Sequence, residues 1–358
     1  MTSNIKIALL NLPIDDNYGG NLQRFALVKV LQYMGYDVTH LLIMRRYSFW
    51  RWHSLLAIAK RIILRFIFKR NIRVFVGSEI QKNNIDNYER IKPFYDKYVK
   101  HTKFIYSHKE IKKYNNFDAY IVGSDQVWRK KIVRPFPLRL FFFDFLRNSG
   151  KKIAYAISLG TSEPELKTYE AKSLKNLYEK FTAVSVREKT ALDIFNYYDW
   201  KIPKAEWLLD PTMLLKKEDY QNVINDAETC QMDGDMFCYI LDLTEEKMNC
   251  IHRESSKRKI KPFIVGLHEI TIEQWLRNIG DAKFIVTDSY HGFVFSLIFN
   301  KPVKILFNDF RGNARFESLL DLLGVSKNQY EFDWLKINRI LDIERKKSLN
   351  WLKNALES

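Results

Sequence analysis

Short apolar runs recur along the chain, each closing on a small or polar residue before a helical pattern begins. The first, IKIALLNL (5–12), leads through PIDDNYGGN into a stretch from about Leu22 to Met34. There Leu27, Val30, Leu31 and Met34 fall at helical spacing. Gly35 follows, where a helix ends in a left-handed residue, and YDVTHLLIM is the next strand. This is a β-α-β unit, which predicts a parallel sheet. FDAYIVG (117–123) then ends in SDQVW, KKIAYAISLG (151–160) in TS, and FTAVSV (181–186) in Arg187 and a helix. KIPKAEWLLDPTML (201–214) breaks the rhythm with two prolines, so a domain boundary is expected between residues 204 and 205. Four strands follow: MFCYILDL (236–243), KPFIVGL (261–267), AKFIVTD (282–288) and KPVKILF (301–307). The tail, ILDIERKKSLNWLKNALE, reads as an amphipathic helix. Two doubly wound α/β domains, 1–204 and 205–330, are expected to face across a cleft, with a final helix over 331–358.

Ligands of open α/β sheets bind outside the carboxyl ends of the strands, so the loops there carry the candidates. In FIVTDSYHGFVFSLIF (284–299), His291 stands between a buried strand and the start of an apolar helix. A helix start holds anions through its free N–H groups, and Thr287, Asp288 and Ser289 are all competent caps. His291 is then either the packed histidine of a capping loop or a group that moves a proton. In AVSVREKTALDIF, Arg187 is placed to grip a carboxylate or phosphate, or to pair with Glu188. In VGSDQVWRK, Gly123 and Ser124 allow a tight turn, and Asp125 can cap it or accept from a hydroxyl. Trp128 either stacks on a sugar face or packs in the core. The DDNYGGN loop is neither GxGxxG nor a P-loop, and LLDPT reads as a structural turn. Arg311 and Arg315 follow the last strand and can meet a second anionic group or pair with Asp309 and Glu317.

Composition narrows the class. With 358 residues, 46% of them apolar, the chain is large enough for two domains with cores of their own. It carries 58 Lys and Arg against 42 Asp and Glu, a formal charge of +16 that favours anionic partners. The excess is concentrated: nine Lys and Arg lie between Arg45 and Arg73, and no acid occurs from Val38 to Ser78. That segment, with Phe49, Trp50 and Trp52, suits an anionic membrane surface, or is an ordinary solvated helix. Its LLAIAKRIILRFIFKR is broken by Lys60, Arg61 and Arg65 and is not expected to cross a bilayer. The N-terminus lacks the marks of a signal peptide. Three cysteines without CxxC spacing argue against a disulfide framework or zinc cluster and fit a reducing cytoplasm. No metal site is expected: His268 and Glu269 are adjacent but have no partner at ligand spacing. No GxSxG elbow is present.

Taken in order, NYGGNLQRFAL (17–27), YIVGSDQVW (120–128), AYAISLGTS (154–162), VSVREKTA (184–191), LDPTMLL (209–215), VTDSYHGFVFSLIFNKPV (286–303) and NARFESLL (313–320) resemble the polysaccharide pyruvyl transferase family. The resemblance implies two Rossmann-like domains arranged like the GT-B glycosyltransferases. It implies transfer of pyruvate from phosphoenolpyruvate to two hydroxyls of a sugar, giving a cyclic ketal with loss of phosphate in capsule or exopolysaccharide synthesis. No further cofactor is implied. His291 takes the place of the family's HG histidine, as the group that moves the proton. Arg187 takes that of its VRE arginine, and Arg311 that of a basic residue about twenty positions past the histidine. Many members carry an arginine two before the histidine; here that residue is Ser289, which leaves Arg311 or Arg315 to meet the donor, or a different donor. The donor side is thus Arg187, Ser289, Gly292, Arg311 and Arg315. The acceptor side is Asn17, Gly20, Ser124, Asp125 and Trp128. Acceptors in such pathways are sugars on a lipid diphosphate, which places the protein in the cytoplasm, at the inner face of the membrane. Two rivals share the sequence signals: a GT-B glycosyltransferase using a nucleotide sugar, and a nucleic-acid binder. The second lacks a recognisable reading motif, and no nucleic-acid partner is expected.

Overall fold

A computed structural model describes residues 5–44, 59–60, 62–63, 65, 67, 76–146, 150–228, 231–267, 270–308, 312–327 and 329–358. The first sheet is built from β1 (Lys6–Leu10), β2 (Asp37–His40), β3 (Ala119–Asp125), β4 (Lys151–Ile157), β5 (Ala183–Val186) and β6 (Glu206–Trp207). Its order is β2-β1-β3-β4-β5-β6, and every pairing is parallel. The second sheet holds β7 (Met236–Tyr239), β8 (Pro262–Val265), β9 (Phe284–Thr287) and β10 (Val303–Ile305) in the order β10-β9-β7-β8, again all parallel. This is the α/β architecture of two Rossmann-like domains that the apolar runs predict. β6 is only two residues long, yet Ser185 pairs with Glu206 and Val186 with Trp207. The first sheet therefore extends to Trp207, past the 204/205 position at which the sequence pattern breaks.

Alternation explains the layers. In β1, Ile7 and Leu9 enter one core while Ala8 and Leu10 enter another. Strands of a parallel sheet are covered on both faces, which is why they read as unbroken apolar runs. The larger core does not stop at the domain boundary: it joins Ile7, Ile121 and Tyr155 of the first sheet to Phe237, Val265 and Ile285 of the second. Helix α1 (Tyr18–Tyr33) makes the join, with twelve buried residues, because it is enclosed on nearly every side. Tyr18 stacks on Trp275 at 5.7 Å and donates to the Ile270 carbonyl at 2.9 Å. Phe25 leans on Tyr220, which meets Phe295 edge-on.

The C-terminal helix, Trp334–Glu357, returns to the first sheet. Ser348 Oγ accepts from the Leu209 amide at 3.2 Å, Trp351 donates to Glu206 at 3.0 Å, and Lys151 Nζ donates to the Leu356 carbonyl at 2.6 Å. Leu352 is fully buried in the shared core. Leu352→Ala should therefore lower unfolding stability by about 2–5 kcal/mol in urea titration. A loss well under 1 kcal/mol would mean that the helix does not hold the two sheets together.

Candidate active site

The carboxyl ends of β3, β5 and β9 converge. β3 ends in two consecutive left-handed residues that are not glycine, Ser124 at φ 28° and Asp125 at φ 61°. Such strain persists where surroundings over-determine it. Here the Asp125 carboxylate is fixed by its neighbours: Oδ1 accepts from the Gln126 amide at 2.9 Å and from Arg187 at 3.2 Å. The Arg187 side chain, just past β5, is fully buried. Its other amino group donates to Asp210 Oδ2 at 2.7 Å, and its Nε lies 3.9 Å from Glu188 Oε2. Glu188 in turn gathers the loop after β4, accepting from Ser158 Oγ at 3.0 Å, Leu159 N at 2.7 Å and Gly160 N at 3.0 Å.

From the second sheet comes helix α8 (Tyr290–Ile298), separated from the end of β9 at Thr287 by Asp288 and Ser289. Among the three competent caps, Ser289 does the capping: its hydroxyl accepts from the Gly292 amide. Thr287 Oγ1 instead donates to the Tyr239 carbonyl at 2.7 Å, and a Cβ on Gly292 would fall 2.2 Å from that oxygen. Asp288 turns the other way and binds the loop after β7, accepting from Leu241 N at 2.6 Å and from Lys247 Nζ at 2.7 Å. His291 is left pointing at the first domain. Its Nε2 lies 3.7 Å from Asp210 Oδ2, and a Cβ added to Gly19 would fall 2.1 Å from its Nδ1. Gly19 sits in the first turn of α1, capped by Asn17, so the glycines expected in a loop belong to the helix. Only a residue without a side chain lets the helix start approach the imidazole so closely.

Asp210 is the meeting point. It opens a 3-10 turn, Pro211–Met213, just past β6, and is buried. Gln23 of α1, Arg187 and both the amide and hydroxyl of Thr212 donate to it, and His291 lies beside it. Burial alone would raise its carboxyl; the His291 imidazole, the Arg187 guanidinium and Thr212 outweigh that and hold it well below the usual range. Asp125 behaves likewise: burial opposes, while Arg187, Arg315 and His291 bring it below its ordinary value. Arg315 is itself lowered by burial and by the charge of Arg187. The two guanidiniums lie over the Tyr290 ring, at 5.2 Å and 5.6 Å from its centroid.

Of the residues singled out in the sequence, Arg187, Arg315, Asp125 and His291 come together here, with Ser289 and Gly292 shaping the start of α8. Asn17 and Gly20 lie in the adjoining turn of α1, but Gly20 has no contact closer than 3.8 Å for a Cβ. Ser124 is fully buried, with a hydroxyl that finds no hydrogen-bond partner among the described residues. Trp128 is corrected: it is 2% exposed, stacks on Phe142 at 4.3 Å and donates to the Phe141 carbonyl, so it is a core residue with no face for a sugar. Arg311, His268 and Glu269 lie outside the described residues. Among the described residues no group of His, Cys, Asp and Glu could hold a metal ion. Asp210, Gly19, Glu188 and Tyr290 were not read as site residues in the sequence. The signal for Asp210 was available, a lone carboxylate inside the apolar run WLLDPTMLL.

A family model described as polysaccharide pyruvyl transferase matches residues 17–305. No curated protein matches the chain. Among solved structures, UDP-GlcNAc 2-epimerase from Neisseria meningitidis bound to UDP-GlcNAc is 9% identical, with 99% of this chain and 93% of that one covered at a TM-score of 0.42. Medicago truncatula UGT71G1 complexed with UDP-glucose is 8% identical, with 99% of each chain covered at 0.48. At these scores neither adds to what the two parallel sheets already establish.

Asp210 carries a testable linkage. Its folded carboxyl is depressed, so its contribution is present above the ordinary carboxylate range and lost as pH falls through the folded value. Asp210→Asn should cost about 3 kcal/mol at pH 7, since it unbalances a buried ion pair. The cost should shrink as pH is brought below the ordinary carboxylate range. Melting curves from pH 7 down to pH 2 check this: the cost should be level above the ordinary carboxylate range and fall below it, and an offset that stays constant down to pH 2 would refute the charged role.

Proposed function

Because the chain belongs to the polysaccharide pyruvyl transferase family, we propose that it transfers pyruvate from phosphoenolpyruvate to two hydroxyls of a sugar, forming a cyclic ketal with release of phosphate. The observation that carries this reading is the pairing of a buried arginine and a histidine, from different sheets, on the single carboxylate of Asp210. Phosphoenolpyruvate presents a carboxylate and a phosphate, and Arg187 and Arg315 offer two guanidiniums on one aromatic ring to meet them. His291 delivers a proton to the methylene carbon, which makes C2 electrophilic. A sugar hydroxyl then attacks C2 and returns a proton to His291. Asp210 steadies the imidazole and Arg187 throughout. The reaction needs closely held groups, and the contact between Gly19 and His291 supports a rigid frame for them.

The acceptor is a sugar, and in this reading it is carried on a lipid diphosphate at the cytoplasmic face of the membrane, in capsule or exopolysaccharide synthesis. The basic segment 45–73 supports a peripheral contact with anionic lipid. Apart from Ala59, Lys60, Ile62, Ile63, Arg65 and Ile67, it lies outside the described residues. No helix among the described residues is long and apolar enough to cross a membrane.

With phosphoenolpyruvate and a panel of lipid-linked or aryl glycosides, mass spectrometry should find a product heavier by pyruvate less water. His291→Ala and Arg187→Ala should each lower phosphate release by about 100-fold or more. Full turnover in both variants, or thermal protection by a nucleoside diphosphate and none by phosphoenolpyruvate, would sink the reading and favour a nucleotide-sugar glycosyltransferase. The protein should sediment with anionic liposomes at low salt and release at high salt. Failure to bind at low salt rejects the membrane contact alone.

A further inference from the structure

An ionised carboxylate offers hydrogen-bond donors about four lone-pair sites. On Asp210 four donors fill them. Oδ1 accepts from the Thr212 amide at 3.0 Å and from the Thr212 hydroxyl at 2.7 Å. Oδ2 accepts from Arg187 Nη1 at 2.7 Å and from Gln23 Nε2. His291 Nε2 is a fifth donor beside a full acceptor. It lies 3.7 Å from Oδ2, beyond hydrogen-bond distance, and is buried with no hydrogen-bond partner among the described residues. Of the four donors, Gln23 is the one that neither charge nor chain connectivity explains. Arg187 supplies the opposite charge, and Thr212 belongs to the turn that Asp210 opens. Gln23 is neutral, buried, and reaches Oδ2 from α1. It stands four residues after Gly19, on the same face of that helix. That face meets His291 at Nδ1 through Gly19 and occupies the Asp210 oxygen through Gln23.

We propose that Gln23 is a positioning residue that keeps His291 Nε2 off the Asp210 carboxylate, leaving the imidazole able to give up a proton and recover one. The assignment rests on the pyruvyl-transfer reading above, in which His291 does both in each turnover. The charged and titratable groups around the imidazole are Asp210 after β6, with Arg187 bound to it, Asp125 at the end of β3, and Tyr290 beside it on α8. From α1 come only Gly19, which has no side chain, and the neutral Gln23. Without the Gln23 amide, Oδ2 regains a lone pair, and Nε2, unpartnered and 3.7 Å away, is placed to take it. A closure of about 1 Å then makes a charge-assisted hydrogen bond. Such a bond stabilises the imidazolium over the imidazole, so the proton passes less readily to the methylene carbon. Held at its observed distance, Asp210 acts on His291 by its charge alone.

The test is Gln23→Met, which keeps the length of the side chain and removes its donor; Gln23→Leu carries the same test should that variant fail to fold. The His291 ring is titrated by NMR, its signal identified by its loss in His291→Gln. Phosphate release is followed over the same pH range with phosphoenolpyruvate and an acceptor. We expect the His291 midpoint to rise by about one pH unit in Gln23→Met, because the imidazolium gains a bonded carboxylate. Phosphate release at pH 7 should fall about 10-fold, its pH profile should move the same way, and KM for phosphoenolpyruvate should stay within about twofold. Thr212→Val takes a donor from the other oxygen, and should move the midpoint by less than about 0.3 pH unit. A midpoint that stays in place in Gln23→Met overturns the assignment. So does an equal rise in Thr212→Val, or a raised midpoint with an unchanged rate. The titration needs no substrate. If the midpoint rises and the unsubstituted protein releases no phosphate from phosphoenolpyruvate, the pyruvyl-transfer reading fails, while the hold of Gln23 on the Asp210–His291 distance stands.

Discussion

The centre of this protein depends on the carboxylate of Asp210. It is buried and ionised, a condition that costs several kcal/mol unless partners surround the charge. The partners come from four places: Gln23 of α1, Arg187 after β5, Thr212 of its own turn, and His291 of α8. No one of these elements could be shifted without stranding a charge. Asp210 itself lies just past the last strand of the first sheet, where the chain passes to the second. One ion thus sets the position of a guanidinium from one domain against an imidazole from the other.

The packing around it serves the same end. Two domains with separate cores would leave Arg187 and His291 free to drift apart. Here α1 is buried against both, and Tyr18, Trp275 and Tyr239 form an aromatic knot directly beside the helix start. The Gly19 contact then closes the distance to His291. A single methyl group there would have to displace an imidazole held between Asp210 and the helix. The C-terminal helix adds a second tie, from Met213 through Leu209 and Glu206 to the face of β4. Apolar burial supplies the stability, and the charged cluster spends part of it on geometry.

Much of this could be read from the chain, for physical reasons that differ by residue. The strands were legible because both faces of a parallel sheet are covered, so Ile7–Leu10 and Phe284–Val286 appear as continuous apolar runs. Arg187 and His291 were legible because polar residues at strand ends have few structural duties. The start of α1 was not: Gly19 and Gly20 disfavour helix by local propensity, and a tertiary contact overrides it. β6 escaped notice because two residues make no pattern. Asp210 reads first as a turn residue, since LDPT does begin a turn; its setting in an apolar run marks it as a buried carboxylate, but only the fold brings its second oxygen to Arg187. Trp128 misled for the opposite reason. It follows a polar loop, but its indole drops into the outer core among Phe142, Phe181 and Trp200.

Ser289 shows how the same cluster can be assembled differently. An arginine at that position would bring a second positive charge in on α8 itself. A serine brings none, but it caps the helix through the Gly292 amide, which an arginine cannot do. The second guanidinium comes instead from Arg315, near the start of the helix Ala314–Leu323, and settles over the Tyr290 ring shared with Arg187. Two like charges on one ring are tolerable because Asp125 and Glu188 lie close to both. On the proposed chemistry this is the arrangement a donor with two anionic groups requires. Its charges can replace those of the carboxylates at the guanidiniums while Asp210 keeps its hold on His291. Neither positive charge stands on the helix that Ser289 caps, and Tyr290 is the platform on which the two meet.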